Sequence, residues 1–347
     1  MSPQAITPLD PAPNAGLTES PAQAVPSATW TVRRAQPTDF PALLALFTRA
    51  FDSAMLPDRW HWKYAHAPCW GTLVERDGRV VGFFGGMPRQ FTLHHKTFLG
   101  VQIGDCMVDP DQRGILTRRG PMFLSAAAYF EQMDTIHPGA QFAFGYPSLR
   151  AIGVGRRLGL YREIDKISVM EWQPLQPKRS LKTRTRCISS WPQQRQQPAI
   201  AALWQAMRAS WPDLLLPVRD WAWLKHRYLD HPECRYDLLL VSSRLTRQPQ
   251  AMAVVRSHTD HLELLDYVGP ASGIAPAMRA VRMRAADVGA PLVRGWFSQQ
   301  LTQIFNVGQP HVYDSGIAVP TNLWGRAEPA SVLASPLWLM AGDSDFR

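Results

Sequence analysis

The sequence has few cysteines and no long hydrophobic run. Its 347 residues include four cysteines, scattered with no CxxC pair and no histidine at ligand spacing. This pattern argues against a disulfide framework and a zinc site, and we expect no metal. No window of about 18 apolar residues exists to span a bilayer, and the first residues lack the basic-then-apolar order of a signal peptide. We therefore expect a cytoplasmic protein with reduced cysteines and no membrane insertion.

Acidic residues are scarce relative to basic ones, with 28 Asp and Glu against 37 Lys and Arg and a formal charge of +9. Such an excess is typical of proteins that neutralise phosphates, including nucleic-acid-binding proteins. The arginines are dispersed, however, apart from one dense run, PKRSLKTRTR at 177–186. A solvated interdomain linker explains this run better than a nucleic-acid patch. A polyanionic substrate or an anionic cofactor would account for the remaining excess, so nucleic acid is an unfavoured partner.

An internal repeat is the most informative feature that is present. WHWKYAHAP from Trp60 returns as WAWLKHRYLDHP from Trp221, and DCMVDP from Asp105 returns as DYVGP from Asp266, both displaced by 161 positions. Further on, GYPS at 145–148 is answered by GWFS at 295–298. This spacing is the size of a domain and is far too long for a solenoid repeat. We predict a disordered Pro- and Ala-rich tail at 1–28, a first domain at 29–172, a basic linker at 173–186 and a second domain at 187–347.

The order of predicted elements indicates an α+β fold. An opening strand and helix are followed by a hairpin turning at Asp77 and Gly78, a third run at Phe98–Val108, and a helix that begins at Pro121. A buried strand at Gln141–Gly145 and a helix at 148–158 complete the first domain. The predicted elements of the second domain are strands at 236–242, 251–257, 262–268 and 292–297 and helices at 199–209, 275–288 and 299–307.

The loop DPDQRGILTRRGP, which joins the third run to the helix at Pro121, predicts an anion site. Backbone N–H groups and the positive end of the helix dipole converge at such a position. Arg113, Arg118 and Arg119 add charge, and Gly114 and Gly120 permit tight turns. A plain capped turn is the alternative at this point.

The segments TVRRAQPTDFPALLALFTRAF, GRVVGFFGG, VDPDQRG and RRLGLY, in that order, resemble the GNAT superfamily of acyl-CoA N-acyltransferases over roughly 31–166. The resemblance implies two tandem domains of mixed, mostly antiparallel sheet flanked by helices, with the second one degenerate. It also implies acyl-CoA as co-substrate, with its pantetheine arm facing Cys106, Met107 and Val108. The residues implied around the pyrophosphate are Arg113, Gly114, Arg118, Arg119 and Gly120.

Candidate catalytic residues follow the same strand. Asp105 is a carboxylate amid apolar residues beside the expected thioester channel. Asp266 repeats it, so a shared structural role is an equal alternative, such as a bond to the Trp element, the repeated segment that begins at Trp60 or Trp221. Many GNAT members carry a tyrosine acid four residues before the glycine that corresponds to Gly159, and this chain has Gly155 there. Tyr146 is the candidate to replace it, and Tyr161 is a weaker one.

The counterpart loop of the second domain, GPASGIAPAM, lacks arginine until Arg279, which indicates that this domain supports the first and walls an acceptor cleft between them. The repeated pair Trp60 and Trp62, on one face of a strand or beside a turn, is interpreted as a core wedge.

The function predicted from the sequence is acyl transfer from acyl-CoA to an amine acceptor by direct attack in a ternary complex. The acceptor is a small molecule or a saccharide, such as a cell-surface polysaccharide or peptidoglycan precursor. Two alternatives remain at this point. One is a Fem-type transferase that uses aminoacyl-tRNA, and the other is a non-catalytic acyl-CoA sensor or scaffold.

Overall fold

The structure is a computed structural model that describes residues 30–178, 180–326 and 329–344. The predicted tail at 1–28 lies outside the described residues. All four cysteines are free thiols. In the described part of the chain, no helix is long and apolar enough to cross a membrane.

The strands form a single sheet that runs through both repeats. In chain order they are β1 (Thr31–Arg34), β2 (Gly71–Arg76), β3 (Arg79–Leu93), β4 (Lys96–Val108), β5 (Ala140–Gly145), β6 (Tyr161–Trp172), β7 (Thr183–Cys187), β8 (Leu216–Pro217), β9 (Asp237–Ser243), β10 (Pro249–Ser257), β11 (Leu262–Val268), β12 (Val293–Ser298) and β13 (His311–Asn322).

Helices cover the faces of this sheet. They are α1 (Phe40–Phe51), α2 (Pro57–Lys63), α3 (Pro121–Glu131), α4 (Met133–Ile136), α5 (Leu149–Leu158), α6 (Gln193–Ser210), α7 (Trp221–Leu224), α8 (Ile274–Asp287) and α9 (Leu301–Ile304). A π-helical turn, Lys225–Leu229, extends α7.

The strand order is β1-β2-β3-β4-β5-β13-β6-β12-β11-β10-β9-β7, with β8 paired to β3 off this path. Most neighbours are antiparallel, whereas β4 with β5 and β11 with β12 are parallel. The predicted α+β class, a mixed and mostly antiparallel sheet flanked by helices, is confirmed.

The last strand of each repeat lies against the other repeat. β6 ends the first repeat but pairs with β12 of the second, over Ile167–Trp172. β13 ends the second repeat but pairs with β6 along its length and with β5 through Thr321. Each half of the sheet therefore needs a strand from the other half of the sequence.

Local sequence explains several turns and helix starts. Asp77 and Gly78 both have positive φ (51° and 73°), which suits the two-residue hairpin predicted there. α3 begins with Pro121 at its first position, where the missing N–H costs no hydrogen bond.

Other local predictions need correction. Residues 183–186 of the predicted linker lie in β7, which pairs with β9. The last predicted helix, at 299–307, is reduced to α9. Trp60 and Trp62 lie on a helix, α2, and not on a strand or beside a turn. The core role expected for Trp60 is confirmed, because its side chain is fully buried against Phe83 and Tyr64.

Candidate active site

A β-bulge interrupts β4 at its carboxyl end. Phe83 of β3 is opposite Met107, and Gly85 is opposite Gly104, so β4 carries one more residue than β3 across this interval. Asp105 lies within the bulge and has a φ of +50°. A bulge leaves backbone groups outside the regular ladder and redirects the side chains beside it. β4 therefore changes direction where the predicted site begins.

The parallel pairing of β4 with β5 stops at Ile103 and Gly145. Beyond this point the strands diverge around a cavity of about 430 Å³. Its wall includes residues from α1, α2, both diverging strands, the start of α5 and the end of β13, among them Phe51, Lys63, Asp105, Cys106, Gly145, Tyr146, Tyr161 and Asn322.

A second cavity of about 290 Å³ adjoins the first. The two share Phe51, Cys106, Met122, Ser148 and Ala151, so together they form one groove. The groove runs from the strand divergence to the loop before α3. At the loop end its wall includes Val108, Gln112, Arg113, Pro121 and Arg150.

The part of the chain that builds this groove matches a known family. Residues 31–162 match the family model described as an acetyltransferase (GNAT) domain. This region of the chain is therefore described as a GNAT acetyltransferase domain. Enzymes with such a domain generally use acyl-CoA as a co-substrate and take amine acceptors.

Solved structures resemble most of the chain, across both repeats. A probable N-acyltransferase from Enterococcus faecalis has 13% identity and a TM-score of 0.63, with 84% of this chain and 72% of that one covered. GCN5-related N-acetyltransferases from Kribbella flavida (16% identity, TM-score 0.58, 86% and 72% covered) and Anabaena variabilis (14%, 0.56, 84% and 72%) are also similar. At such identities the likeness establishes the fold alone. No curated protein sequence matches the chain at a significant level.

Within the GNAT domain, Cys106 and Val108 line the groove, as expected of residues predicted to face the pantetheine arm. The side chain of Met107 does not. It is fully buried on the other face of the sheet, in the core that contains Trp60, because successive side chains of a strand alternate between faces.

The three loop arginines point to different partners. Arg113 donates to the carbonyls of Val108 (3.1 Å) and Ala50, and its side chain lines the groove. The Arg118 guanidinium lies 5.1 Å from the ring of Trp324 and within 3.5 Å of the Leu158 carbonyl. Arg119 is exposed. In this structure the three side chains therefore do not surround one point.

The loop backbone is held firmly all the same. Buried Asp109 accepts hydrogen bonds from Arg49 (2.8 Å) and Arg79 (2.7 Å), and also from the Asp111 amide. Although burial acts to raise it, these donors hold the pKa of Asp109 below its ordinary value. Gly120 is required, since a Cβ there would lie 2.0 Å from the Ile115 carbonyl oxygen, whereas Gly114 has open space.

Asp105 is bound to the Trp element. Its carboxylate accepts from Lys63 Nζ (2.8 Å) and from the Tyr64 hydroxyl (2.9 Å). The second repeat has the same arrangement, since the Tyr228 hydroxyl donates to Asp266 at 3.0 Å. The structural alternative for Asp105, that it bonds the Trp element, is confirmed by these contacts. They leave a catalytic role open, because Asp105 also lines the cavity.

Two tyrosines lie on the cavity wall. A Cβ on Gly155 would lie 2.0 Å from the ring of Tyr161, so this ring fills the space beside the position where many GNAT members carry a tyrosine. Burial raises the pKa of Tyr161 well above its ordinary value, which keeps its hydroxyl protonated at neutral pH. Tyr146 lines the same cavity.

Asn322 is the site residue that the sequence did not indicate. Its Oδ1 accepts from the Ala143 amide of β5 at 2.9 Å, which fixes the orientation of the side-chain amide. Its Nδ2 is buried and has no hydrogen-bond partner among the described residues. A buried N–H donor without a partner costs about 1–3 kcal/mol. No local signal could find it, because Asn322 reaches the cavity through the exchanged strand β13.

One group of possible metal ligands occurs in the described part of the chain, far from the groove in sequence. Atoms of His258, His261 and Glu263 lie within 4.8 Å of one another. Arg256 donates to His258 Nε2 (3.0 Å) and to Glu263 (3.1 Å). The guanidinium thus already satisfies two of the three ligands, and its positive charge opposes a metal ion there.

The corresponding cleft of the second repeat is filled. β11 and β12 pair only as far as Leu264 and Gly295, so these strands also diverge. The carboxyl-terminal segment Leu337–Ala341 enters the divergence and is almost fully buried. The Ser298 amide donates to the Leu339 carbonyl (2.9 Å), and Phe297 forms an isolated antiparallel β-bridge with Met340. Trp338 packs against Phe305 and Tyr267.

Proposed function

We propose that this protein transfers an acyl group from acyl-CoA to an amine, by direct attack of the amine in a ternary complex. The observation that supports the proposal best is the continuous groove between the diverging strands and the loop before α3, within the GNAT domain. The corresponding cleft of the second repeat is filled by protein, which supports one acyl-CoA site per chain.

The residues of the groove fit the co-substrate. Its apolar wall, with Phe51, Met122 and Ala151, suits a pantetheine arm, and the bulged edge of β4 offers backbone groups for hydrogen bonds. At the loop end, Arg113 and Arg150 and the first amides of α3 supply positive charge and donors for a pyrophosphate. We therefore assign Arg113 and Arg150 ahead of Arg118 and Arg119, whose side chains do not line the groove.

The reaction forms an N–C bond and breaks the thioester C–S bond. The amine gives up a proton, and the leaving thiolate takes one. We assign protonation of the thiolate to Tyr146 or Tyr161, the two phenols on the cavity wall. Asp105 holds α2 against β4 through Lys63 and Tyr64, and we assign removal of the amine proton to water in the cavity.

Asn322 Nδ2 is proposed to donate to the carbonyl oxygen of the acyl group. Charge develops on this oxygen in the transition state, and a fixed neutral donor stabilises it. The acyl oxygen would thereby give Nδ2 the hydrogen-bond partner that it lacks in the free protein. β13 brings this donor to the GNAT domain from the end of the chain, so the second repeat contributes directly to the site.

Calorimetric titration with CoA tests the first step. We expect one binding site per chain, which Ala151→Trp should abolish by filling the groove. Ala222→Trp, on the exposed side of α7, is the matched control and should bind CoA normally. If the parent protein does not bind CoA, the proposal is wrong, and binding of aminoacyl-tRNA instead would favour the Fem-type alternative.

Thiol release from acetyl-CoA with a panel of amines then separates an enzyme from a sensor. CoA binding without release for any small-molecule or saccharide amine would favour the non-catalytic alternative. Asn322→Asp keeps the acceptor for the Ala143 amide but removes the donor, and should lower kcat by about 100-fold with little change in KM. Thr321→Val is the control, because Thr321 bonds the Ala143 carbonyl (2.8 Å) without lining the cavity.

A further inference from the structure

A separate cavity of about 360 Å³ lies in the second repeat, between α8 and the strands β7 and β9. Leu239, Ala280 and Met283 give it an apolar floor. β7 is the last strand of the sheet, so this cleft is several strands away from the groove between β4 and β5.

The wall of this cleft carries a strong excess of positive charge. Its cationic residues are Lys178, Arg184, Arg244, Arg279 and Arg284, and Asp287 is the carboxylate that also lines it. Arg284 is paired with Asp237 outside the wall, at 2.7 Å. Even with that pair discounted, the basic groups around the cleft outnumber the acidic one.

The contacts of Arg244 and Arg279 within the described residues leave their charges uncompensated. Arg244 donates to the carbonyls of Ser180 (2.6 Å) and Thr183 (3.0 Å), and Arg279 donates to the Lys178 carbonyl (2.7 Å). Carbonyl oxygens satisfy N–H donors without cancelling a charge. These bonds fix the segment that crosses the end of the cleft and hold the guanidinium groups in place.

Arg184 is the least satisfied of these groups. Its Nε is shielded from solvent and has no hydrogen-bond partner among the described residues. Burial and the neighbouring guanidinium groups of Arg186, Arg247 and Arg244 lower its pKa. An anion in the cleft would pair with the charge of the Arg184 guanidinium and relieve the repulsion between like charges.

The first repeat closes the equivalent space. There the Thr72 hydroxyl of β2 donates to the Ser125 carbonyl of α3 at 2.7 Å, in a buried contact. Arg34 of β1 donates to Gln132 at the end of α3, also at 2.7 Å. The cleft is therefore a property of the second repeat and not of the shared fold.

We propose that this cleft binds a small molecule that carries two or more phosphate groups. Guanidinium groups match phosphate oxygens in charge and geometry, and the volume lies in the range of small-molecule sites. The cations surround a concave space with an apolar floor, which favours a small ligand over a nucleic-acid strand lying on a basic stripe. The proposal does not depend on the acyltransferase activity.

Calorimetric titration of the full chain with tripolyphosphate, at low ionic strength, tests this site. We expect one binding event that Arg184→Gln weakens by about tenfold or more, since the substitution removes one charged donor from the cleft wall. Arg195→Gln, on the exposed side of α6, removes the same charge outside the cleft and should change the Kd little. Because the loop beside Arg113 is proposed above to bind the pyrophosphate of CoA, the titration is done with excess CoA present, and the remaining binding event is assigned to the cleft.

Three results would overturn the proposal. The first is no binding of tripolyphosphate at millimolar concentration. The second is equal weakening by Arg184→Gln and Arg195→Gln, which would indicate diffuse attraction to a basic protein. The third is a single-stranded RNA oligomer that binds more tightly than tripolyphosphate and is equally sensitive to Arg184→Gln, which would identify a nucleic-acid surface.

Discussion

Each of the two repeats has a pair of parallel strands that diverge, but the space between the strands is open in one repeat and filled in the other. In the first repeat, β4 and β5 diverge around an open groove. In the second, β11 and β12 diverge around Trp338 and its neighbours, which are buried there. The fold thus provides the same opening twice, and the contents of the opening separate a ligand site from a structural core.

The aspartate of each repeat shows the same difference on a smaller scale. Both Asp105 and Asp266 accept a hydrogen bond from a tyrosine hydroxyl of the Trp element. Asp105 pairs with Lys63 at the edge of a cavity. Asp266 pairs with Arg219, which also binds Asp343 of the carboxyl-terminal segment, and none of the three is accessible to solvent beyond 2%. The same bond thus occurs in both repeats, in different surroundings.

Removing the central cation of each repeat should give the largest contrast. Arg219→Met removes the partner that two buried carboxylates share, although Arg89 still pairs with Asp343 at 3.2 Å, and we expect it to lower the free energy of unfolding by about 3–5 kcal/mol. Lys63→Met leaves Asp105, whose side chain is 6% exposed, without its cation at the edge of a cavity, and should cost less, about 2–3 kcal/mol. Urea unfolding of both variants measures the difference. Equal losses would show that the two aspartates lie in equivalent surroundings after all.

Emptying the filled cleft is the next test. Trp338 is fully buried, so Trp338→Ala should destabilise the protein by about 3–4 kcal/mol through lost burial and the cavity left behind. Met122 lines the open groove, and Met122→Ala should cost about 1 kcal/mol because less of its surface leaves water. Chemical denaturation provides both values. A larger loss for Met122→Ala would mean that the groove is part of the core.

The sequence predicted what depends on local pattern. The Trp60 and Asp105 echoes indicated an internal repeat, and in both copies the aspartate bonds the Trp element, as the structural alternative for Asp105 predicted. The hairpin at Asp77 and the start of α3 followed from residue types that tolerate few alternatives. Most strands of each repeat were found in the same way, whereas β6, β7 and β13 were not predicted.

The rest depends on contacts distant in sequence. β6 and β13 have ordinary strand patterns, so nothing local shows that they exchange partners. For the same reason, neither Asn322 in the first cleft nor Trp338 in the second was recognisable. The Arg118 side chain lies beside Trp324, and the Arg119 side chain is exposed to solvent. Neither direction can be inferred from the spacing of residues in the loop. Residues on strands of the site were thus predictable only where the strand comes from the same repeat as the site.

Acidification should affect the first repeat through His137. This side chain is buried beside the Tyr129 hydroxyl (2.8 Å), and burial lowers its pKa from 6.5 to about 4. The folded state thus binds fewer protons than the unfolded state between these values, so stability falls as the pH decreases from about 6.5 to 4, by about 2–3 kcal/mol. His137→Gln should reduce this pH dependence, measured as Tm between pH 7 and 5. An unchanged pH profile would place the acid sensitivity elsewhere, for example at His226 or His231, whose pKa values burial also lowers to about 4.

A further small effect should be equal in both repeats. Tyr64→Phe and Tyr228→Phe each remove one hydroxyl that donates to the aspartate of its repeat, at 2.9 and 3.0 Å. Each should cost about 1–2 kcal/mol, since the remaining cation still satisfies the carboxylate. The two values, measured by urea unfolding, should agree within about 0.5 kcal/mol, because the bond belongs to the shared architecture and not to the cleft. If only Tyr64→Phe also abolished thiol release from acetyl-CoA at unchanged stability, then Asp105 would have a catalytic role that Asp266 lacks, and the difference between the repeats would extend to the bond itself.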